Sequence, residues 1–148
     1  MRKLVSVAAV ASVAALVFAA VAFGGESYKV KAALVGKGEV PAAKAPAGAK
    51  GLFTGKYVEN AKGAVLTWKL TFSGLSGPAV AAHIHKGKKG TSGPVVVPLC
   101  GPCKSGMSGK TQISKAIIAA LEGHDAYVNV HTAKNPGGEI RAQVTVTG

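Results

Sequence analysis

Apolar and polar residues alternate along most of this chain, and such alternation predicts β-strands. The clearest case is residues 64–72, where every second position is apolar: Leu66, Trp68, Leu70 and Phe72. Trp68 is therefore expected at the centre of the core. Similar segments follow one another between turns rich in Gly, Pro and Asn. By residue number, the predicted strands are 27–35, 52–59, 64–72, 80–85, 94–98, 126–132 and 139–147.

One helix is predicted, over Lys115–Glu122. Ser114 can cap its start and Gly123 can end it, and its apolar stripe consists of Ile117, Ile118 and Leu121. The glycine-rich segments 36–51 and 100–109 are predicted to be loops. We therefore predict one all-β domain over residues 23–148, with its core at about 27–147. The expected architecture is an antiparallel β-sandwich or Greek-key barrel with one short helix.

The first 22 residues have the three parts of a signal peptide. Arg2 and Lys3 are positive, residues 4–22 form an almost unbroken apolar run, and residues 20–22 offer a cleavage site of the small-x-small type. This pattern predicts a secreted or periplasmic protein with no membrane span after cleavage. The alternative is an uncleaved anchor, because the apolar run is nearly long enough to cross a bilayer.

The chain is strongly basic, with a formal charge of +12. Without Arg2 and Lys3, 16 basic and 6 acidic residues remain, for a net charge of +10. This excess of positive charge suits an anionic cell-surface polymer or another extracellular protein as partner. Nucleic acid is not expected, because no aromatic residue interleaves with the one lysine cluster, at positions 86, 88 and 89. The alternative is simply a well-solvated basic surface.

Three of the four histidines lie on two predicted strands. His83 and His85 share one strand face, and Asn129 and His131 share one face of the other strand. If the strands are neighbours, the three imidazoles converge, and neutral imidazoles are suitable ligands for zinc or copper. The alternative is a structural cluster in which the histidines hydrogen-bond to loops. His124 lies in a turn beside Asp125 and is expected to be structural.

Cys100 and Cys103 are the only cysteines, and they are spaced as in the redox motif of thioredoxins. That motif requires a helix start, which the following residues do not provide. In an exported protein the pair predicts a local disulfide, and so small a ring stabilises the fold by only about 2 kcal/mol.

No set of nucleophile, base and acid is apparent, and no phosphate-binding glycine loop is present, so the chain is not expected to be an enzyme. Glu139 and Arg141 share a face of the last strand, where Arg141 can bind a carboxylate or pair with Glu139 or Glu122. Two functional classes follow: a non-catalytic extracellular binding or structural module, and a copper- or zinc-binding protein with possible redox chemistry.

Four segments resemble the CHRD domain family, which is named for the repeats of the extracellular protein chordin. They are Ala-His-Ile-His-Lys-Gly at 82–87, Gly-Pro-Val-Val-Val at 93–97, Tyr-Val-Asn-Val-His-Thr at 127–132 and Asn-Pro-Gly-Gly-Glu-Ile-Arg-Ala-Gln at 135–143. The resemblance covers about residues 27–146. It implies an exported all-β domain and no known catalytic activity.

A second resemblance is to Cu/Zn superoxide dismutase, which also has a His-x-His strand before a glycine-rich loop in a Greek-key barrel. It implies that His83, His85 and His131 imitate three copper ligands. The bridging histidine and the zinc ligands of that enzyme have no counterparts in this chain.

Overall fold

A computed structural model describes residues 25–148, and the predicted signal peptide lies outside the described residues. Nine β-strands and one α-helix follow one another along this part of the chain. In chain order they are β1 (Ser27–Val35), β2 (Lys50–Asn60), β3 (Gly63–Ser73), β4 (Ala79–Lys86), β5 (Val95–Cys100), β6 (Met107–Ile113), α1 (Lys115–Glu122), β7 (Ala126–Thr132), β8 (Ile140–Gln143) and β9 (Thr145–Thr147). A 3₁₀ turn at Gly36–Gly38 follows β1.

All nine strands belong to one antiparallel sheet in the order β5-β4-β7-β8-β1-β2-β3-β6, with β9 also paired to β1. The sheet curls into a nearly closed barrel, and the short helix packs against it. The prediction of an all-β antiparallel barrel with one helix is confirmed. Ser114 caps that helix as expected, accepting a hydrogen bond from the Ile117 amide. No helix within residues 25–148 is long and apolar enough to cross a membrane.

The barrel interior holds the apolar set that the alternation predicts. Leu66 and Leu70 are fully buried and Trp68 is nearly so, although Phe72 is only half-buried. On the neighbouring strand β2, Phe53 and Tyr57 also point inward and are fully buried. Burial of side chains of this size stabilises a fold by about 1.5–3 kcal/mol each.

Two parts of the prediction are wrong in detail. The predicted loop 100–109 and the residues after it contain β6, which pairs with β3 from Leu70 to Ala64. This edge strand carries almost no apolar signal, because only Ile113 is buried among its seven residues. The predicted single strand 139–147 is broken at Val144, whose amide donates to the Ala126 carbonyl before the chain moves on to pair with β1.

The sulfur atoms of Cys100 and Cys103 lie at bonding distance, 2.05 Å apart, as the sequence predicts. The amide of Cys103 donates to the Ala79 carbonyl at 3.0 Å. The disulfide therefore fixes the chain after β5 against the first residue of β4, the strand that carries two of the histidines.

Strand β7 is buried on both faces, and all seven of its residues are buried. Its inward residues include Val128 and Val130, which lie in the barrel core. Its outward face is covered by two loops, 36–49 and 87–94. The Ser92 hydroxyl donates to the Val40 carbonyl at 2.5 Å and so joins the two loops to each other. The outward side chains of β7 are therefore enclosed between the outer surface of the barrel and these two loops. We call this enclosed region the polar interior.

Gly109 on β6 is directly opposite Trp68, and a methyl group there would lie 2.5 Å from Cζ2 of the indole. Gly109→Ala is expected to displace Trp68 and to lower the free energy of unfolding by about 1–3 kcal/mol. Denaturant unfolding followed by the fluorescence of this single tryptophan measures the effect. Gly137→Ala is the matched control, because nothing lies within 4 Å of its added methyl group. Equal midpoints for the two variants would contradict the packing.

Candidate metal centre

Neighbouring strands β4 and β7 bring the three predicted histidines together. In the register of this pair, His83 is opposite Asn129 and Ala81 is opposite His131. One nitrogen from each of His83, His85 and His131 can be chosen so that all three lie within 4.8 Å of one another. The closest pair is Nδ1 of His83 and Nε2 of His131, at 3.0 Å. Tetrahedral bonds of about 2.0–2.1 Å require nitrogen separations of about 3.3 Å, so small side-chain rotations reach that geometry.

Two of the imidazoles are oriented by backbone carbonyls. Nδ1 of His85 lies 2.8 Å from the Gly93 oxygen, and Nδ1 of His131 lies 2.9 Å from the Pro136 oxygen. A carbonyl only accepts, so each Nδ1 carries a proton, and in the neutral form of either ring Nε2 has the free lone pair. This is the arrangement in which metal-ligating histidines are usually held. Nε2 of His85 is buried and has no hydrogen-bond partner.

The Gly93 carbonyl is itself held in place by close packing. The Gly93 amide donates to the Tyr127 hydroxyl at 3.1 Å, and a side chain at position 93 would overlap the Lys86 carbonyl. The Tyr127 ring stacks on His85 at 4.8 Å with only 7° between the planes. From the other neighbouring strand, the Arg141 guanidinium lies 3.3 Å from the centre of the same ring. His85 is thus fixed both at its ring face and at its ring edge.

The Pro136 carbonyl belongs to the turn between β7 and β8, and Glu139 braces that turn. Its carboxylate accepts from the Ser76 amide at 2.6 Å, from Thr132 Oγ1 at 2.5 Å and from Asn135 Nδ2 at 2.7 Å, and also from the Ser76 hydroxyl. Burial by itself would raise the pKa of Glu139, but these donors outweigh burial and hold the pKa below its ordinary value. Glu139 is therefore a charged anchor that positions the partner of His131.

Burial lowers the pKa of both His83 and His131 from the ordinary value of 6.5, and the neighbouring histidines lower it further. For His131, the hydrogen bond to the Pro136 carbonyl opposes this lowering of the pKa without reversing it. At neutral pH both rings are therefore uncharged. A neutral imidazole can bind a metal ion without net release of a proton, so the cluster can accept a cation at that pH.

Across the sheet, His83, Asn129 and Arg141 follow one another in register on β4, β7 and β8. The buried Glu39 reaches this row from loop 36–49, because a methyl group at Gly138 would overlap both its carboxyl and the Asn129 amide. In residues 25–148, four buried side-chain atoms have no hydrogen-bond partner. They are Glu39 Oε1, His85 Nε2, Asn129 Oδ1 and Arg141 Nη1. All four belong to the polar interior under the two loops.

The expected ion pair of Arg141 with Glu139 or Glu122 is not what the structure describes. Arg141 donates to the Thr91 carbonyl at 2.7 Å and to the Lys88 carbonyl at 3.3 Å. Glu122 instead accepts from the Tyr57 hydroxyl at 2.5 Å. Glu139 precedes β8 and faces the turn, whereas Arg141 reaches toward loop 87–94.

Sequence reasoning missed several groups around the histidines: Glu39, Tyr127 and the carbonyls of Gly93 and Pro136. Every residue type has a backbone carbonyl, so the sequence contains no signal for which carbonyl will bind a histidine. Glu39 had one weak signal, as the only acidic residue in a long loop of Gly, Pro, Ala and Lys. His124 lies apart from the cluster in the turn after α1, with a left-handed φ of 55°.

Glu39 predicts a measurable pH dependence of stability. Burial raises its pKa from 4.5 to about 7, against the opposing charge of Arg141 and a hydrogen bond from the Val40 amide. A carboxyl whose folded pKa is raised stabilises the fold below its unfolded pKa, and this contribution is lost as pH rises through the folded pKa. Between about pH 4.5 and 7, wild type should therefore lose about 2–3 kcal/mol relative to Glu39→Gln.

Urea unfolding of both proteins at several pH values measures this difference. The histidines titrate in both proteins, so their contribution cancels in the comparison. Parallel stability curves for wild type and Glu39→Gln would contradict a raised pKa at this carboxyl.

A family model for the CHRD domain matches residues 30–144, a range that includes all three clustered histidines. No curated protein and no solved structure gives a significant match to the chain. CHRD domains are typically extracellular. Because the matched segment covers most of the sequence, this protein belongs to the CHRD domain family.

Proposed function

We propose that this CHRD domain is an extracytoplasmic, non-catalytic binding module whose ligand is one copper or zinc ion, held by His83, His85 and His131. The observation that carries the proposal is the buried, unpartnered Nε2 of His85 beside the carbonyl-anchored His131. Buried ring nitrogens are almost always hydrogen-bonded, so one left bare requires an explanation. A metal ion shared by the three rings provides it.

Besides small rotations of the side chains, binding requires one change of protonation. In the neutral cluster, His131 Nε2 accepts and His83 Nδ1 donates across their 3.0 Å contact. A metal between them needs lone pairs on both atoms, so the His83 proton moves to its Nε2. His85 and His131 keep their carbonyl partners throughout. The ligand set is therefore largely organised before the ion arrives.

The donor set favours particular metals. The cluster contains three imidazoles and no carboxylate, whereas calcium and magnesium prefer several oxygen ligands. Among divalent ions, imidazole sites generally bind copper more tightly than zinc. His83 is only half-buried, which leaves a side of the centre open to a further ligand.

A second candidate function is a purely structural use of the histidines, in a module whose partner is another extracellular protein. The hydrogen bond between His83 and His131 favours this alternative, because it already links β4 to β7 without an ion. The two candidates differ in what happens when metal is added.

Calorimetric titration of the mature protein with Cu²⁺ and with Zn²⁺ at pH 7 distinguishes them. We expect one ion per chain, with copper bound more tightly, and a loss of at least tenfold in affinity for each of His83→Ala, His85→Ala and His131→Ala. His124→Asn is the matched control, because it removes the fourth histidine and asparagine tolerates the left-handed backbone there. Its affinity should equal that of wild type.

Uptake should be lost below about pH 6, as protons compete for the imidazoles. Absence of tight binding by wild type, or equal binding by the three alanine variants, would end the metal proposal and leave the structural candidate. If the copper-loaded protein catalysed superoxide dismutation, or cycled its copper between two oxidation states during a reaction, only the non-catalytic part of the proposal would be contradicted.

A further inference from the structure

Lysines that are far apart in the sequence lie close together on the half of the barrel opposite the histidines. Strands β1, β2, β3 and β6 are consecutive neighbours, and every second residue of each points outward. Six exposed lysines share this outward face: Lys29, Lys31, Lys50, Lys56, Lys69 and Lys110. We name these residues the lysine face.

The register arranges these lysines in rows across the strands. In one row, Lys29 is opposite Lys56, Lys56 is opposite Thr67, and Thr67 is opposite Lys110. In the next row, Lys31, Thr54 and Lys69 are consecutive. Neighbouring strands are about 4.8 Å apart and successive rows about 7 Å apart. The positive charges therefore form a close two-dimensional array.

Folding alone does not account for this array. Like charges directly opposite each other on a sheet are destabilising, and Lys29 and Lys56 are such a pair. The strand positions of this face contain no acidic residue. The chain's six acids lie elsewhere: Glu39 and Glu139 are buried, Glu122 binds Tyr57, Asp125 is in the turn before β7, and Glu26 and Glu59 lie near one end of the β1–β2 pair.

We propose that the lysine face docks a linear acidic polysaccharide. The face supplies uncompensated positive charge at the strand spacing, and threonine hydroxyls beside the lysines can bond sugar hydroxyls. Thr54, Thr67, Thr71, Thr145 and Thr147 occupy such positions. No aromatic side chain is present among its strand positions, so bases have nothing on which to stack. Its two exposed large apolar residues, Leu52 and Val58, are too few to enter a lipid bilayer.

This inference is independent of the metal proposal, because the histidines lie on β4 and β7 and the lysines on other strands. Binding should persist in metal-free protein and in the His131→Ala variant. A failure of either proposal therefore leaves the other intact.

The test uses immobilised polygalacturonate as the acidic probe and dextran as the neutral control, at about 0.15 M salt. The face variant carries Lys29→Glu, Lys56→Glu and Lys110→Glu. The matched variant carries Lys62→Glu, Lys104→Glu and Lys134→Glu, three exposed lysines outside the face with the same total charge change. Circular dichroism and thermal midpoints check that both variants fold.

We expect wild type to bind polygalacturonate and not dextran, and the face variant to lose on the order of tenfold or more in affinity. The matched variant should lose much less. Equal losses in the two variants would mean that only net charge matters, and would overturn the proposal. Tighter binding to single-stranded DNA or to phosphatidylglycerol vesicles, removed by the same face substitutions, would also overturn it by assigning the face a different occupant.

Discussion

The candidate site depends on the burial of both faces of β7. The inward face is apolar and fills the barrel, but the outward face carries Tyr127, Asn129 and His131. Polar groups removed from water cost about 1–3 kcal/mol each when they remain unpaired. The covering loops therefore have to present carbonyl and amide groups at defined positions. That requirement turns two glycine-rich loops into part of a built site.

The same requirement places His131 and His85 each at the end of a series of supporting contacts. His131 depends on the Pro136 carbonyl, that carbonyl depends on the turn, and the turn depends on the buried charge of Glu139. His85 depends in a similar way on Gly93 and Tyr127. Only His83 lacks a backbone anchor among these contacts, and it is also the most exposed ring of the three. It is thus the ring that can change its proton position and admit a ligand.

Sequence patterns predicted the elements that have strong local signals. The bounds of β1, β7 and α1 agree to the residue, because alternation or a capped apolar stripe ends at a glycine or a turn in each case. Strand β6 has one buried residue, so its existence follows from pairing with β3 and not from its own pattern. Strand parity likewise placed His83 and His85 on one face. The adjacency of β4 and β7 is a matter of topology, which no local pattern contains, and the burial of Glu39 follows from how its loop packs.

The scarcity of acidic residues connects the two halves of the barrel. Two of the carboxylates are buried anchors, and the others lie near the ends of strands or at the end of the helix, so none joins the histidine cluster and none neutralises the lysine face. Lys86, Lys88 and Lys89 also lie in or beside the loop that covers His85. Their charge opposes a cation at the histidines and attracts anions to the same rim. An ion held by the three imidazoles would therefore favour an anionic ligand over water at its open side.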